Sequence, residues 1–161
     1  MTIPPGLKRT AVLCVLRSGD SFLLLKRLKA PNIGMYTPVG GKLDPYETPA
    51  SAAIRETMEE TGIVVSGMKY CGVLVETSPT DYNWTSFVYL ADVAYAVPPD
   101  CTEGKLEWIA FKDLRDLETP ATDWFIYQYI AAAMPFAFNA VFDDALNLVS
   151  MQDELTAKVL V

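Results

Sequence analysis

The chain is 161 residues long, 51% hydrophobic and 20% charged, with a formal net charge of -7 from 13 Lys and Arg against 20 Asp and Glu. That composition excludes wholesale disorder and fits one globular α/β unit with a sizeable core, while so acidic a surface excludes a duplex nucleic-acid partner by repelling the phosphate backbone. The sequence holds no histidine, which excludes Ser-His-Asp and Cys-His catalysis and leaves acid–base or metal chemistry to carboxylates, lysines, tyrosines and thiols.

Met1 to Lys8 lacks the apolar stretch of a signal peptide, and no apolar run is long enough to span a bilayer. A cytoplasmic protein with no membrane partner is therefore expected. Arg9 to Leu16 and Ser21 to Leu25 are apolar runs joined by Arg17-Ser18-Gly19-Asp20, which predicts two strands and a tight turn. Pro31, Asn32, Gly34 and Pro38 mark residues 29 to 38 as loop. Thr48-Pro49 then reads as a helix N-cap followed by proline at the first helical position, and Gly62 as the residue that stops the helix.

Strands are expected at 68–77, 84–94 and 106–111, with Pro98-Pro99-Asp100 as the break before the last of them. Pro120 opens a second helix, from Ala121 to Ala133. Phe136 to Ser150 has the pattern of a hairpin, with Asp143-Asp144 near its turn. The three cysteines, Cys14, Cys71 and Cys101, are widely spaced and form no CxxC motif. They read as buried thiols in a reduced compartment.

Chemistry concentrates on the first helix. Glu56, Glu59 and Glu60 stand at i, i+3 and i+4, so their carboxylates share one face and repel one another. A cation is expected among them, and hard oxygen donors select Mg²⁺, or Mn²⁺, over zinc. Gly40-Gly41 permits a tight turn that brings a backbone carbonyl close, and Glu47 stands just before the N-cap. A glutamate-rich helix is often only a solvated face. The spacing decides against that: Gly41, Glu47, Arg55, Glu56, Glu59, Glu60 and Gly62 are seven fixed identities, a coincidence on the order of 10⁻⁹ to 10⁻⁸ per starting position at ordinary residue usage.

The segment from Gly41 to Ile63 resembles the Nudix box, GX5EX7REUXEEXGU, with U a bulky aliphatic residue; Thr57 at the first U is the one departure. Because that position is for packing, a small loss of core contact is expected there. The resemblance implies an α/β/α sandwich with a mixed sheet, formed by a single domain over residues 1 to 161. It also implies a magnesium-dependent hydrolase of nucleoside diphosphate linkages. By the same resemblance Glu56, Glu59, Glu60 and the Gly41 carbonyl hold metal, Glu56 matches the general base of some members, and Arg55 orients the glutamates. Glu103 is the candidate for a later-loop metal ligand, with Glu107 as the alternative.

For the substrate, Lys42 and Arg27 are candidate phosphate ligands, and Asp123 and Trp124 are candidates to hydrogen-bond and stack on a base. Trp124 on an amphipathic helix is more readily read as core, and Tyr36 and Trp84 share that ambiguity. Val39-Gly40-Gly41-Lys42 resembles the MutT-like branch that acts on oxidised purine triphosphates, whereas Thr37-Pro38 replaces the Asn-Gly segment common there. A small nucleotide partner is implied, and a homodimer is the assembly the resemblance allows. Alternatives are hydrolysis of ADP-ribose or a dinucleoside polyphosphate, and a non-catalytic nucleotide sensor; the retained glutamates argue against the sensor.

Overall fold

A computed structural model describes residues 2–161. The first apolar runs form strands β1 (Arg9–Ser18) and β2 (Ser21–Arg27), an antiparallel hairpin with Leu16 opposite Leu23. The runs are continuous rather than alternating because both faces of these strands are covered: Val12, Cys14, Val15, Leu16, Phe22, Leu23, Leu24 and Leu25 are all buried. Strand β3 (Tyr36–Thr37) pairs with β2, and β4 (Val39–Lys42) pairs with β1. β3 lies within residues 29 to 38, where the glycine and prolines predicted loop alone, and β4 follows directly after them; both are short, and β4 pairs along the edge of β1.

Helix α1 (Pro49–Thr61) ends where expected. The Ser51 N–H donates to Thr48 Oγ1 (3.2 Å), and Gly62 takes a left-handed φ of 72° so that its N–H reaches the Met58 carbonyl. Strands β5 (Lys69–Thr77), β6 (Trp84–Asp92) and β7 (Gly104–Ala110) follow, then a short 3-10 helix (Phe111–Asp116). Helix α2 (Asp123–Ala131) starts two residues later than its proline predicted, because Pro120 to Asp123 close a turn in which the Asp123 N–H donates to the Pro120 carbonyl. Strands β8 (Phe136–Phe142) and β9 (Leu148–Asp153) make the tail hairpin, which runs three residues beyond the expected end and adds an edge strand, β10 (Lys158–Val159).

The strands form one mixed sheet in the order β10-β9-β8-β5-β6-β1-β2-β3, with β4 on β1 and β7 on β2. The parallel pair β1–β6 brings Arg9 beside Trp84, and the β5–β6 pair brings Glu76 opposite Trp84. The helices cover opposite faces. Ala52 and Ala53 of α1 pack on Val12, Cys14 and Leu16, while Ile126, Tyr127 and Ile130 of α2 pack on Val15, Leu74 and Phe138. Burying a side chain such as Ile126 contributes roughly 1.5–3 kcal/mol. This is the α/β/α arrangement expected. Thr57 is fully buried despite its hydroxyl, which lies 3.6 Å from the Met68 sulfur. Among the described residues no helix is long and apolar enough to cross a membrane.

Candidate active site

Arg55 organises the box. Its guanidinium donates in a fork to Glu47, Nε to Oε2 (2.7 Å) and Nη2 to Oε1 (2.8 Å), while Nη1 donates to Glu56 (2.8 Å) and Glu59 (3.2 Å). Nη2 also reaches the Lys42 carbonyl, which ties the helix to β4. These bonds hold the Glu47 carboxyl down at about 2, with a further contribution from the Asp44 N–H. Arg55 thus supplies one positive charge to Glu47, Glu56 and Glu59.

Glu60 lies outside that fork. It accepts only from the Gly40 N–H (3.2 Å), and burial, reinforced by the charges of Glu56 and Glu103, pushes its carboxyl up to about 7. Burial also raises Glu56. Among the described residues no three carboxylates close on one point at ion-holding distance, since Arg55 draws Glu56 and Glu59 one way and Gly40 draws Glu60 another. The donor set nevertheless fits a hard divalent cation: carboxylates and a backbone carbonyl, with no nitrogen or sulfur ligand. Space for it is kept open by Gly41, where a Cβ would stand 2.5 Å from Glu56 Oε1. Gly40 is held to glycine by packing, since a Cβ there would run into the Val12 carbonyl.

These groups line part of a cleft of about 510 Å³ whose wall takes residues from both helices, Glu56 and Glu60 from α1 and Asp123 from α2. Its wall includes Gly41, Lys42, Glu56, Glu60, Arg27 and Glu103. Glu59 is more exposed, on the outer turn of the helix. Glu103 pairs with Lys29 at 3.6 Å, whereas Glu107 accepts from the Tyr36 hydroxyl (2.8 Å) on a neighbouring part of the sheet, so the geometry favours Glu103 of the two. Arg27 is partly committed to structure: its Nε donates to the Pro31 carbonyl (2.7 Å) and its Nη2 to the Ala30 carbonyl (3.4 Å). Lys42 carries its ammonium 6.0 Å from the centre of the Trp84 ring.

At the other end of the cleft lies Asp123, 4% exposed. Trp124 requires a correction, because it does not share that wall. One residue on is a rotation of about 100° around a helix, and Trp124 stacks on Phe111 (5.5 Å) with the Arg115 guanidinium 5.0 Å from its ring. Two further residues in the wall, Arg9 and Glu76, were not singled out from the sequence. Arg9 lies 4.0 Å over Trp84, with its Nε buried and without a hydrogen-bond partner. Glu76 is 6% exposed and accepts from the Tyr82 hydroxyl (3.2 Å). Strand periodicity alone would have placed Glu76 on the inner face, since it shares that face with Leu74.

Comparison with known proteins agrees with this geometry. A family model described as the NUDIX domain matches residues 7–132. A Nudix hydrolase of Bacillus subtilis, YvcI, is 30% identical over 123 residues, covering 73% of this chain and 75% of that protein. An NAD-capped RNA hydrolase of Vibrio atlanticus is 32% identical over 105 residues (64% of this chain), and a putative 8-oxo-dGTP diphosphatase of Mycobacterium tuberculosis is 27% identical over 106 (61% of this chain). The matches span only 38% and 49% of those two relatives. The crystal structure of a mutator MutT protein from Bacillus halodurans superposes with a TM-score of 0.80 at 23% identity, covering 91% of this chain and 98% of the other, and so shares the fold.

Proposed function

Because the chain belongs to the Nudix hydrolase family and is a hydrolase of pyrophosphate linkages, we propose that it cleaves a purine nucleoside triphosphate, such as an oxidised one, to the monophosphate and pyrophosphate. One observation carries this reading: a single cleft joins Glu56 and Glu60 of the box to a buried acid, Asp123, at a distance from them in the chain. The first end suits phosphates with a metal. The second, hydrogen-bonding and enclosed, suits a base. The Mycobacterium relative, described as a putative 8-oxo-dGTP diphosphatase, supports the same substrate class.

Glu56, Glu59 and Glu60, with the Gly41 carbonyl and Glu103, would hold Mg²⁺ or Mn²⁺. Such an ion, when bound, neutralises phosphate oxygens and makes water a better nucleophile near neutral pH. The remaining work belongs to the chain. Arg55, itself held in a fork by Glu47, fixes Glu56 at the cleft wall. Glu56, against the Gly41 opening, is placed to accept the proton of the attacking water. Lys42 and Arg27 neutralise the phosphates in a protein otherwise strongly acidic. Asp123 orients the base.

The test is a substrate panel in excess Mg²⁺ containing 8-oxo-dGTP, the standard dNTPs, ADP-ribose, a dinucleoside polyphosphate and an NAD-capped oligonucleotide. Pyrophosphate released from one triphosphate and lost in Glu60→Gln is the expected result. Turnover of ADP-ribose or the capped RNA alone would keep the hydrolase and overturn the triphosphate. No turnover of any member would favour a nucleotide-sensing role.

A further inference from the structure

Three cations line the cleft, Arg9, Arg27 and Lys42, and among the described residues none of them is ion-paired with a carboxylate. Acids are plentiful in a chain of net charge -7, and Arg17, Lys29, Arg55 and Lys105 each hold one at 2.7–3.6 Å. Arg27 commits its donors to loop carbonyls instead. Arg9 commits almost none. Its Nη2 donates to the Asp81 carbonyl at 3.2 Å, its Nε is buried without a partner, and its Nη1 makes no hydrogen bond among the described residues.

Arg9 is nevertheless held in one orientation. The parallel pairing of β1 with β6 sets it beside Trp84, and its guanidinium lies 4.0 Å over the indole. Side chains two apart on a strand share a face, and so do those of residues directly opposite. Arg9, Ala11 and Lys42, the partner of Ala11 on β4, therefore point to the side of the sheet that forms the cleft. The Lys42 ammonium approaches the same ring, 6.0 Å from its centre. Two like charges gathered on one ring repel. A neutral hydroxyl accepts a bond but leaves that repulsion in place. A phosphate removes it, and its oxygens suit the planar donors of an arginine already stacked on an aromatic face, which loses little freedom on binding.

We propose that Arg9, held flat on Trp84, and Lys42 form a phosphate subsite in addition to Arg27, so that Arg9 is a substrate-binding residue. This rests on reading the cleft as a nucleotide's. The phosphate has two possible sources, the outer end of the polyphosphate chain and a phosphate carried on the sugar, and both present the same oxygens.

The test is calorimetric titration of the whole protein in excess Mg²⁺ with inorganic pyrophosphate, deoxyguanosine 5′-monophosphate and deoxyguanosine 3′,5′-bisphosphate. Arg9→Gln is expected to weaken one probe about tenfold, which is about 1.4 kcal/mol, and to leave the monophosphate within about twofold. Loss on pyrophosphate assigns the subsite to the polyphosphate chain; loss on the bisphosphate assigns it to the sugar. Should Arg9→Gln fail to fold, Arg9→Lys, which keeps the charge and gives up the fork, is expected to cost the same probe about threefold. Arg115→Gln removes a cation that lies over Trp124, away from the cleft wall, and should change nothing. Probes that bind the wild type and Arg9→Gln alike, or that weaken as much in Arg115→Gln, would overturn the subsite alone. A wild type that binds neither pyrophosphate nor the bisphosphate would overturn it together with the reading of the cleft as a nucleotide's.

Discussion

The two ends of the cleft handle negative charge in opposite ways. At the box end, Glu47, Glu56 and Glu59 share one arginine within a segment of 13 residues, at 2.7–3.2 Å. At the inner end, Glu76 and Asp123 come from a strand and a helix 47 positions apart, and Asp123 Oδ2 is left without a partner. The box end carries a counter-charge of its own in Arg55, which bonds Glu47, Glu56 and Glu59, while Glu60 accepts only from the Gly40 N–H. The inner end is complete only with a ligand. A local charge cluster can be balanced by its own neighbours; one assembled from distant parts is balanced by what binds there.

The sharpest way to break this contrast is at Glu60. Glu60→Gln should lower kcat by about 10²–10³-fold with little change in melting temperature, as read by steady-state kinetics beside thermal unfolding; an unchanged kcat would mean the box end does no chemistry. Arg55→Lys keeps the charge but loses the fork. A loss of about 1–3 kcal/mol in stability is expected, since charge-assisted bonds to Glu47 and Glu56 are broken, together with a drop in kcat; full retention of both in denaturant unfolding and kinetics would show that the fork is ornamental.

The inner end should betray itself through pH. Asp123 is raised to about 8 in the folded protein, above its unfolded value of about 3.9. Below the unfolded value both states are protonated and the group is neutral to stability. As pH rises from there towards 8 the unfolded chain ionises first, so Asp123 destabilises the fold increasingly across that window. Asp123→Asn should therefore gain on the wild type between pH 5 and pH 8 in paired melts; parallel pH profiles would contradict a buried, unpartnered acid.

Smaller effects bound the cleft between its ends. Arg27→Gln should raise KM by about tenfold or less, with kcat kept, because two of its bonds serve the loop instead. Trp124→Phe should leave kcat/KM within about twofold, given its place on Phe111; a large rise in KM would return the ring to the substrate.

What could be read in advance follows the same division. The spacing from Gly41 to Gly62, the cap at Thr48 and the apolar runs of β1 and β2 depend on interactions within a few residues, so the chain by itself determined the box, its helix and the central hairpin. The assignment of Trp124 to the base failed because helical phase relative to the sheet is set by packing, and packing turned Asp123 inward and Trp124 onto Phe111. Glu76 and Arg9 are charges near the ends of apolar strands, ordinary in the sequence. They became part of the cleft only when β6 brought Trp84 beside Arg9 on one side and Glu76 on the other. Strand register is a long-range property, decided when the whole sheet closes over its core, and so the chemistry of the inner end belongs to the tertiary structure alone.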